Sequence, residues 1–277
     1  MAVCDTPDIE EYKQYLYDAV PIEIRNILDI FKKYNFYIGS PVGIRFLNSP
    51  SLGKRWDMHH GIDINQRVDP IRGTCMVVRG APLIQTKDVQ AIRGFGNYAQ
   101  IGSYKDARWV LSFYHLESPP LVWPYDSPPS DDVYNQEVGK SLTQFINKCF
   151  MATETKPLIV VWPNAVYPTK IFLYRYAPYA RPGATANDGH IYTVANTTVI
   201  TRDKPEFQEY LNKAKEQIYL LPVGTTGYSG GVHYHVDLKY KCVYLNIVEV
   251  VGLKDIIIKR YVVSLDKFCT DAAGADL

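Results

Sequence analysis

The chain has 277 residues, 47% hydrophobic and 21% charged, enough for one large domain or two small ones around a real core. Its 30 basic and 29 acidic residues leave a net charge of +1, which gives no electrostatic reason to expect nucleic acid or an anionic membrane as partner. Five cysteines, an odd number with no Cys-x-x-Cys spacing, argue against a disulfide framework and against a thiolate zinc site.

The N-terminal MAVCDTPDIEEY has neither a basic nor an apolar signal region, so no signal peptide is expected. No apolar run approaches the ~20 residues that span a bilayer, so no membrane insertion is expected either. Residues 1–35 form a helical extension in this reading. Helical spacing begins near Pro7, Pro21 interrupts it, and IEIRNILDIFKKY resumes it with basic residues in its last turn. From Phe36 the texture turns to short β-rich runs divided by Gly- and Pro-bearing turns, which predicts an antiparallel sheet. The runs are FYIGSPVGIRF, TCMVV, YAQIG and WVLSFYHL.

Residues 117–220 change texture again and read as an inserted α+β subdomain. Pro-rich turns open it, followed by a helix near EVGKSLTQFINKCF and strands at LIVVW, KIFLYRY and HIYTVANTTVIT. A second helix is predicted near PEFQEYLNKAKEQIYL. The β texture returns at GTTGYSGGVHYHVDLKY, and residues 241–277 read as a C-terminal β-hairpin, VYLNIVEVV-GLKD-IIIKRYVVSL, with a tail. The 22 tyrosines are read first as filling for a β-rich core and second as a binding surface.

Five of the six histidines fall in three short clusters. In VHYHVD, a strand places His233 and His235 on one face and Tyr234 on the other, so one imidazole can bind a metal while the other stands beside it. His59 and Asp63 offer zinc-ligand atoms. A straight strand would hold their Cα atoms about 13 Å apart, so the chain should bend at His60-Gly61. His115 ends the apolar strand WVLSFYHL. Each cluster alone reads better as bland: hydrogen-bonded histidines, a turn with a capping Asp, a packed strand end. His190, in NDGHIY, reads as a hydrogen-bonded loop residue, and Asp57, Asp188 and Asp237 as solvated or capping groups. Together, two histidines and a carboxylate leave zinc an open position, with two further histidines for proton work.

IGSPVGIR, HHGIDI, GFGNYAQI, FYHLE and GTTGYSGGVHYHVD occur in this order. In that order they resemble the lysostaphin-type zinc endopeptidases, which hydrolyse peptides of bacterial peptidoglycan. The resemblance implies that His59, Asp63 and His235 ligate Zn2+. It makes His233 the general base or the residue that orients the water, and His115 the histidine that stabilises the tetrahedral intermediate; His60 takes a variable position. It implies a mainly antiparallel β core at 36–116 and 221–240 with a groove across one face, walled in part by Gly224–Gly227 and Gly230-Gly231. The chain departs from the family in the long stretch 117–220, where relatives have a short connection, and in lacking a Gly-Asp-Val-Gly-Gln segment.

The expected function is therefore hydrolysis of cross-bridge or stem peptides in the cell wall. The expected setting is a phage tail, among other virion proteins, during wall penetration, or the host cytoplasm before release. The reading from another class is a structural or plug protein of a virion on an inactive peptidase scaffold. A D-Ala-D-Ala carboxypeptidase would use a Glu-x-x-His element, which the sequence lacks.

Overall fold

A computed structural model describes residues 17–34, 36–49, 53–65, 74–87, 96–134, 156–162, 168–179, 191–227, 229 and 231–251. The fold is α+β and mainly antiparallel β. Its first half runs α1 (Ile22–Lys33), β1 (Tyr37–Ser40), β2 (Gly43–Ser49), β3 (Gly53–His59), β4 (Ile62–Asn65), β5 (Cys75–Arg79), β6 (Leu83–Lys87), β7 (Asn97–Ile101) and β8 (Trp109–Leu116). The second half runs β9 (Leu121–Val122), β10 (Val133–Tyr134), β11 (Leu158–Trp162), β12 (Lys170–Tyr179), β13 (Ile191–Thr201), α2 (Phe207–Glu216), β14 (Ile218–Pro222), β15 (Tyr234–Tyr240), β16 (Val243–Leu245) and α3 (Ile247–Val251).

Helix α1 begins where the sequence allows it. Pro21 lacks the N–H that a helix interior needs, but its carbonyl accepts from Ile24 and Arg25 N–H at 2.9 Å each. Ile24, Ile27, Leu28 and Phe31 recur at helical spacing and are buried. Each such side chain taken fully from water stabilises the fold by about 1.5–3 kcal/mol. Lys33 pairs with Asp132 at 2.6 Å and Tyr34 hydrogen-bonds Asp131, which ties the helix end to the 131–132 loop. The helical residues expected before position 17 lie outside the described residues, as does the helix expected near EVGKSLTQFINKCF.

A seven-stranded sheet runs in the order β1-β4-β15-β8-β7-β6, with β16 paired to β15 beside β4. One face is apolar. Phe113, Tyr234, Val236, Leu238, Ile62 and Ile64 are buried there, with Phe31 of α1 at 6.2 Å from the Phe113 ring. A second sheet, β10-β5-β14-β9, is tied to that face through Tyr234, whose hydroxyl donates to Leu221 O at 2.6 Å and accepts from Met76 N–H at 3.2 Å.

The stretch 117–220 therefore divides in its packing. Its ends supply β9, β10 and β14, which pair around β5 and bury Leu121, Val133 and Tyr219 in the main core. Its middle forms a separate sheet, β11-β12-β13, whose Ile159, Val161, Ile171, Leu173 and Ile200 pack on Phe207 and Ala214 of α2. The first arm of the expected C-terminal hairpin is also corrected. Val243–Leu245 is a short strand folded back on β15, and Ile247–Val251 is helical, with Ile247 and Val250 buried in the core. The second arm and the tail lie outside the described residues.

Candidate metal centre

Four strands, β3, β4, β8 and β15, bring the histidine clusters together. β3 ends at His59, the chain turns at His60-Gly61, and β4 starts at Ile62. A side chain at Gly61 would collide with the backbone of Val236 and come within 2.9 Å of His235 Nε2, so the close approach of β15 requires glycine. In β4, Asp63 stands opposite Ser40 of β1 and His235 of β15. Directly opposed residues share a face, so Asp63 and His235 meet on the face opposite Tyr234.

The donor atoms converge. His59 Nε2 lies 3.1 Å from Asp63 Oδ1 and 2.9 Å from His235 Nδ1, and His235 Nδ1 lies 3.0 Å from Asp63 Oδ1. His233, two residues before His235 on the same face, puts its Nε2 3.4 Å from Asp63 Oδ1. His59 and His235 are buried, and Asp63 keeps a small exposed edge.

Backbone carbonyls set the tautomers. His59 Nδ1 is 2.7 Å from Pro41 O, so it carries the proton and Nε2 presents its lone pair to Asp63. His233 Nδ1 donates likewise to Gly231 O at 2.9 Å, which leaves its Nε2 lone pair facing the same carboxylate. Lone pairs and an anion packed this closely repel one another unless a cation lies between them. A tetrahedral ion with ligand distances of about 2.0–2.2 Å sets its ligand atoms about 3.3–3.6 Å apart. The 2.9–3.1 Å triangle of His59, Asp63 and His235 is close to that spacing, and the three residues form a group able to hold a metal ion.

His115 reaches the site through a bulge. β7 and β8 pair Asn97 with Leu116 but Ala99 with Phe113, so β8 holds one residue more than β7 across this interval. His115 sits there at φ 62°, a left-handed conformation that costs a non-glycine residue about 1–3 kcal/mol. Local bonds hold it: His115 Nδ1 donates to Thr226 O at 2.9 Å, and Thr226 Oγ1 donates to Leu116 O at 2.5 Å. The ring is then 5.1 Å from that of His233 and 6.1 Å from that of His235. Burial, with His233 adding to it, pushes the His115 imidazole down to about 4. His115 is therefore neutral at pH 7 and offers its Nε2 lone pair.

All five sequence-derived site residues, His59, Asp63, His115, His233 and His235, thus share one face. His60 does not join them; it is exposed and stacks on Tyr244 at 4.5 Å. His190 and Asp188 lie outside the described residues. Two neighbours had no clear signal in the sequence. Tyr114 stands opposite His235 with rings 5.5 Å apart. Asp237 is not solvated, as its sequence context suggested, but 2% exposed on the same face, 3.6 Å from Lys239 Nζ. Its charge adds to the burial that pushes the Tyr114 phenol up, and its Oδ1 has no hydrogen-bond partner among the described residues. The alternation His233, His235, Asp237 was readable; that a carboxylate would be buried there was not.

The chain matches no family model and no curated protein.

Proposed function

We propose that the chain is a zinc endopeptidase that hydrolyses the cross-bridge or stem peptides of bacterial peptidoglycan. One observation carries the reading: His59, Asp63 and His235 converge on one point, with His233 and His115 beside it and both of their Nδ1 protons committed to carbonyls. Two nitrogens and one carboxylate oxygen are a donor set suited to zinc and leave a position for substrate. A zinc ion held there supplies Lewis acidity to a peptide carbonyl and makes water more acidic.

The chain's own residues divide the proton work. His233 is the base: its Nε2 lone pair points into the site, and accepting a proton makes it a cation beside Asp63. His115 starts neutral and can only accept at Nε2. It becomes a donor to the oxyanion after taking up a proton, which the negative charge growing beside it favours. Tyr114 lies against His235 and helps to keep its ring in place.

The lysostaphin-type motifs support both the core assignment and the substrate class. The inserted strands and the terminal elements suit docking to neighbouring subunits, so the setting we favour is a phage tail, among other virion proteins, during entry. Absence of the protein from purified particles would remove that setting. The activity is tested by incubating purified walls with zinc-loaded protein and following release of new amino termini. We expect release that stops with a chelator, returns with zinc, and is lost in His115→Ala. Release that continues in the chelated protein would contradict the reading.

A further inference from the structure

We propose that the sheet β11-β12-β13 extends the binding surface of the metal centre as an aromatic strip, and that this strip holds the sugar strand of the polymer whose peptides are cut. The inference rests on the peptidase reading and adds a second contact, remote from the reacting bond.

The strip starts at the centre itself. Tyr114 faces His235, and Tyr98 of β7 lies 5.8 Å from Tyr114 on the same face. β11, in a sheet of its own, lies close to β6, the edge strand on this side. Tyr174 of β12 is near enough to Tyr98 that, on top of burial, it feels the neighbouring phenol. Phe172 follows at 6.1 Å, its ring within 10° of parallel to Tyr174, and Trp162 at 6.1 Å from Phe172. The far end opens to solvent: Trp162 is 48% exposed, and Val199, opposite Phe172, is also 48% exposed. Tyr98, Tyr174 and Phe172 are half-buried. The rings are thus anchored on one side and available on the other.

The chemistry of the strip selects the occupant. The polar groups among the rings are amides and hydroxyls, with lysines at two opposed strand positions, Lys87 across from Tyr98 and Lys170 across from Trp162. Gln85 donates to the Tyr98 hydroxyl at 2.8 Å, Gln100 shares the face of Tyr98, and Thr197 stands opposite Tyr174. Aromatic rings bordered by amides and hydroxyls match a neutral polymer of pyranose rings. Such rings present apolar C–H faces for stacking, with hydroxyl and acetamido groups at the rim for hydrogen bonds. The strip is continuous with the site that takes the peptide, so its sugar partner is the other half of the same polymer. Tyr174, Phe172 and Trp162 come from strands within 117–220, the stretch in which the chain departs most from the family pattern.

The test uses the full zinc-loaded chain with chitohexaose, a neutral β-1,4-linked N-acetylglucosamine hexamer that contains no peptide. Binding is followed by calorimetry for wild type, Trp162→Ala and Trp162→Phe. The expected result is binding by wild type, weakened roughly three- to tenfold in Trp162→Ala and largely kept in Trp162→Phe. Bound zinc should be unchanged in both variants. No binding by a wild type that still cuts wall peptides, or binding that Trp162→Ala leaves intact, would overturn the inference alone. Trp162-dependent binding by a chain that cuts no peptide would leave the sugar surface standing and overturn the peptidase reading.

Discussion

The two faces of the seven-stranded sheet are built from alternate residues of the same strands, yet they do opposite work. On one face Phe113, Tyr234 and Val236 are sealed under α1 and the second sheet. On the other, His235 stands between Asp63 on one side and Tyr114 on the other, with Asp237 next along the strand. Tyr234 and His235 are consecutive, and each spends its polar atoms on a different problem. The Tyr234 hydroxyl satisfies backbone groups of the second sheet; the His235 imidazole faces a carboxylate and another imidazole. A period of two therefore separates stability from chemistry, and a shift of one residue in register would exchange the two faces. Substitutions on the apolar face should lower stability and spare the metal centre, and substitutions on the polar face should do the reverse.

The largest test of this separation is Phe113→Ala. The ring is fully buried between Phe31 and Tyr234, so its removal should cost about 3–5 kcal/mol in denaturant unfolding. At low temperature, where the variant is still folded, it should bind zinc as wild type does. Loss of zinc in the folded variant would break the comparison.

His115 is the intermediate case, a site residue with a stability cost. Its folded imidazole titrates near 4, below the ordinary 6.5, so folding favours the neutral form. The stabilisation it gives is complete above about pH 6.5, fades as pH falls from there to about 4, and is gone below that. The whole window is worth about 3 kcal/mol. Metal-free wild type should therefore lose more stability than His115→Gln between pH 7 and pH 4 by about that amount. Equal losses in the two proteins would show that the imidazole is not held neutral.

The smallest effect is expected for Tyr234→Phe. The ring stays, but Met76 N–H loses its acceptor and Leu221 O loses its donor, in a buried place. Unfolding should show a cost of about 1–3 kcal/mol, with zinc affinity unchanged. A tenfold loss of affinity would mean that the two faces are coupled through β15.

Much of this arrangement was legible in the sequence because it depends on alternation. VHYHVD placed His233 and His235 on one side and Tyr234 on the other, as the register of β15 has them. The bend at His60-Gly61 followed from the reach of an extended chain. What escaped the sequence depends on single-residue irregularities and on partners distant along the chain. The bulge that aims His115 breaks alternation by one residue, and nothing in FYHLE marks it. The carbonyl of Pro41 fixes the His59 tautomer, but a carbonyl has no residue-type signature. β9 and β10 are two residues each, too short to show a period, so the ends of 117–220 read as insertion although they complete the sheet around β5. The apolar run IVEVV fits helix and strand equally by composition, and burial of Ile247 and Val250 on one side of a helical turn decided it.

The central claim is that His59, Asp63 and His235 hold a zinc ion while His233 serves the reaction without holding it. It is tested most directly by elemental analysis of the purified wild type, His235→Ala and His233→Ala, with wall hydrolysis measured on the same samples. About one zinc per wild-type chain is expected, and almost none in His235→Ala. His233→Ala should keep its zinc and lose hydrolysis. A wild type that binds no metal, or a His235→Ala that binds as much as wild type, would contradict it.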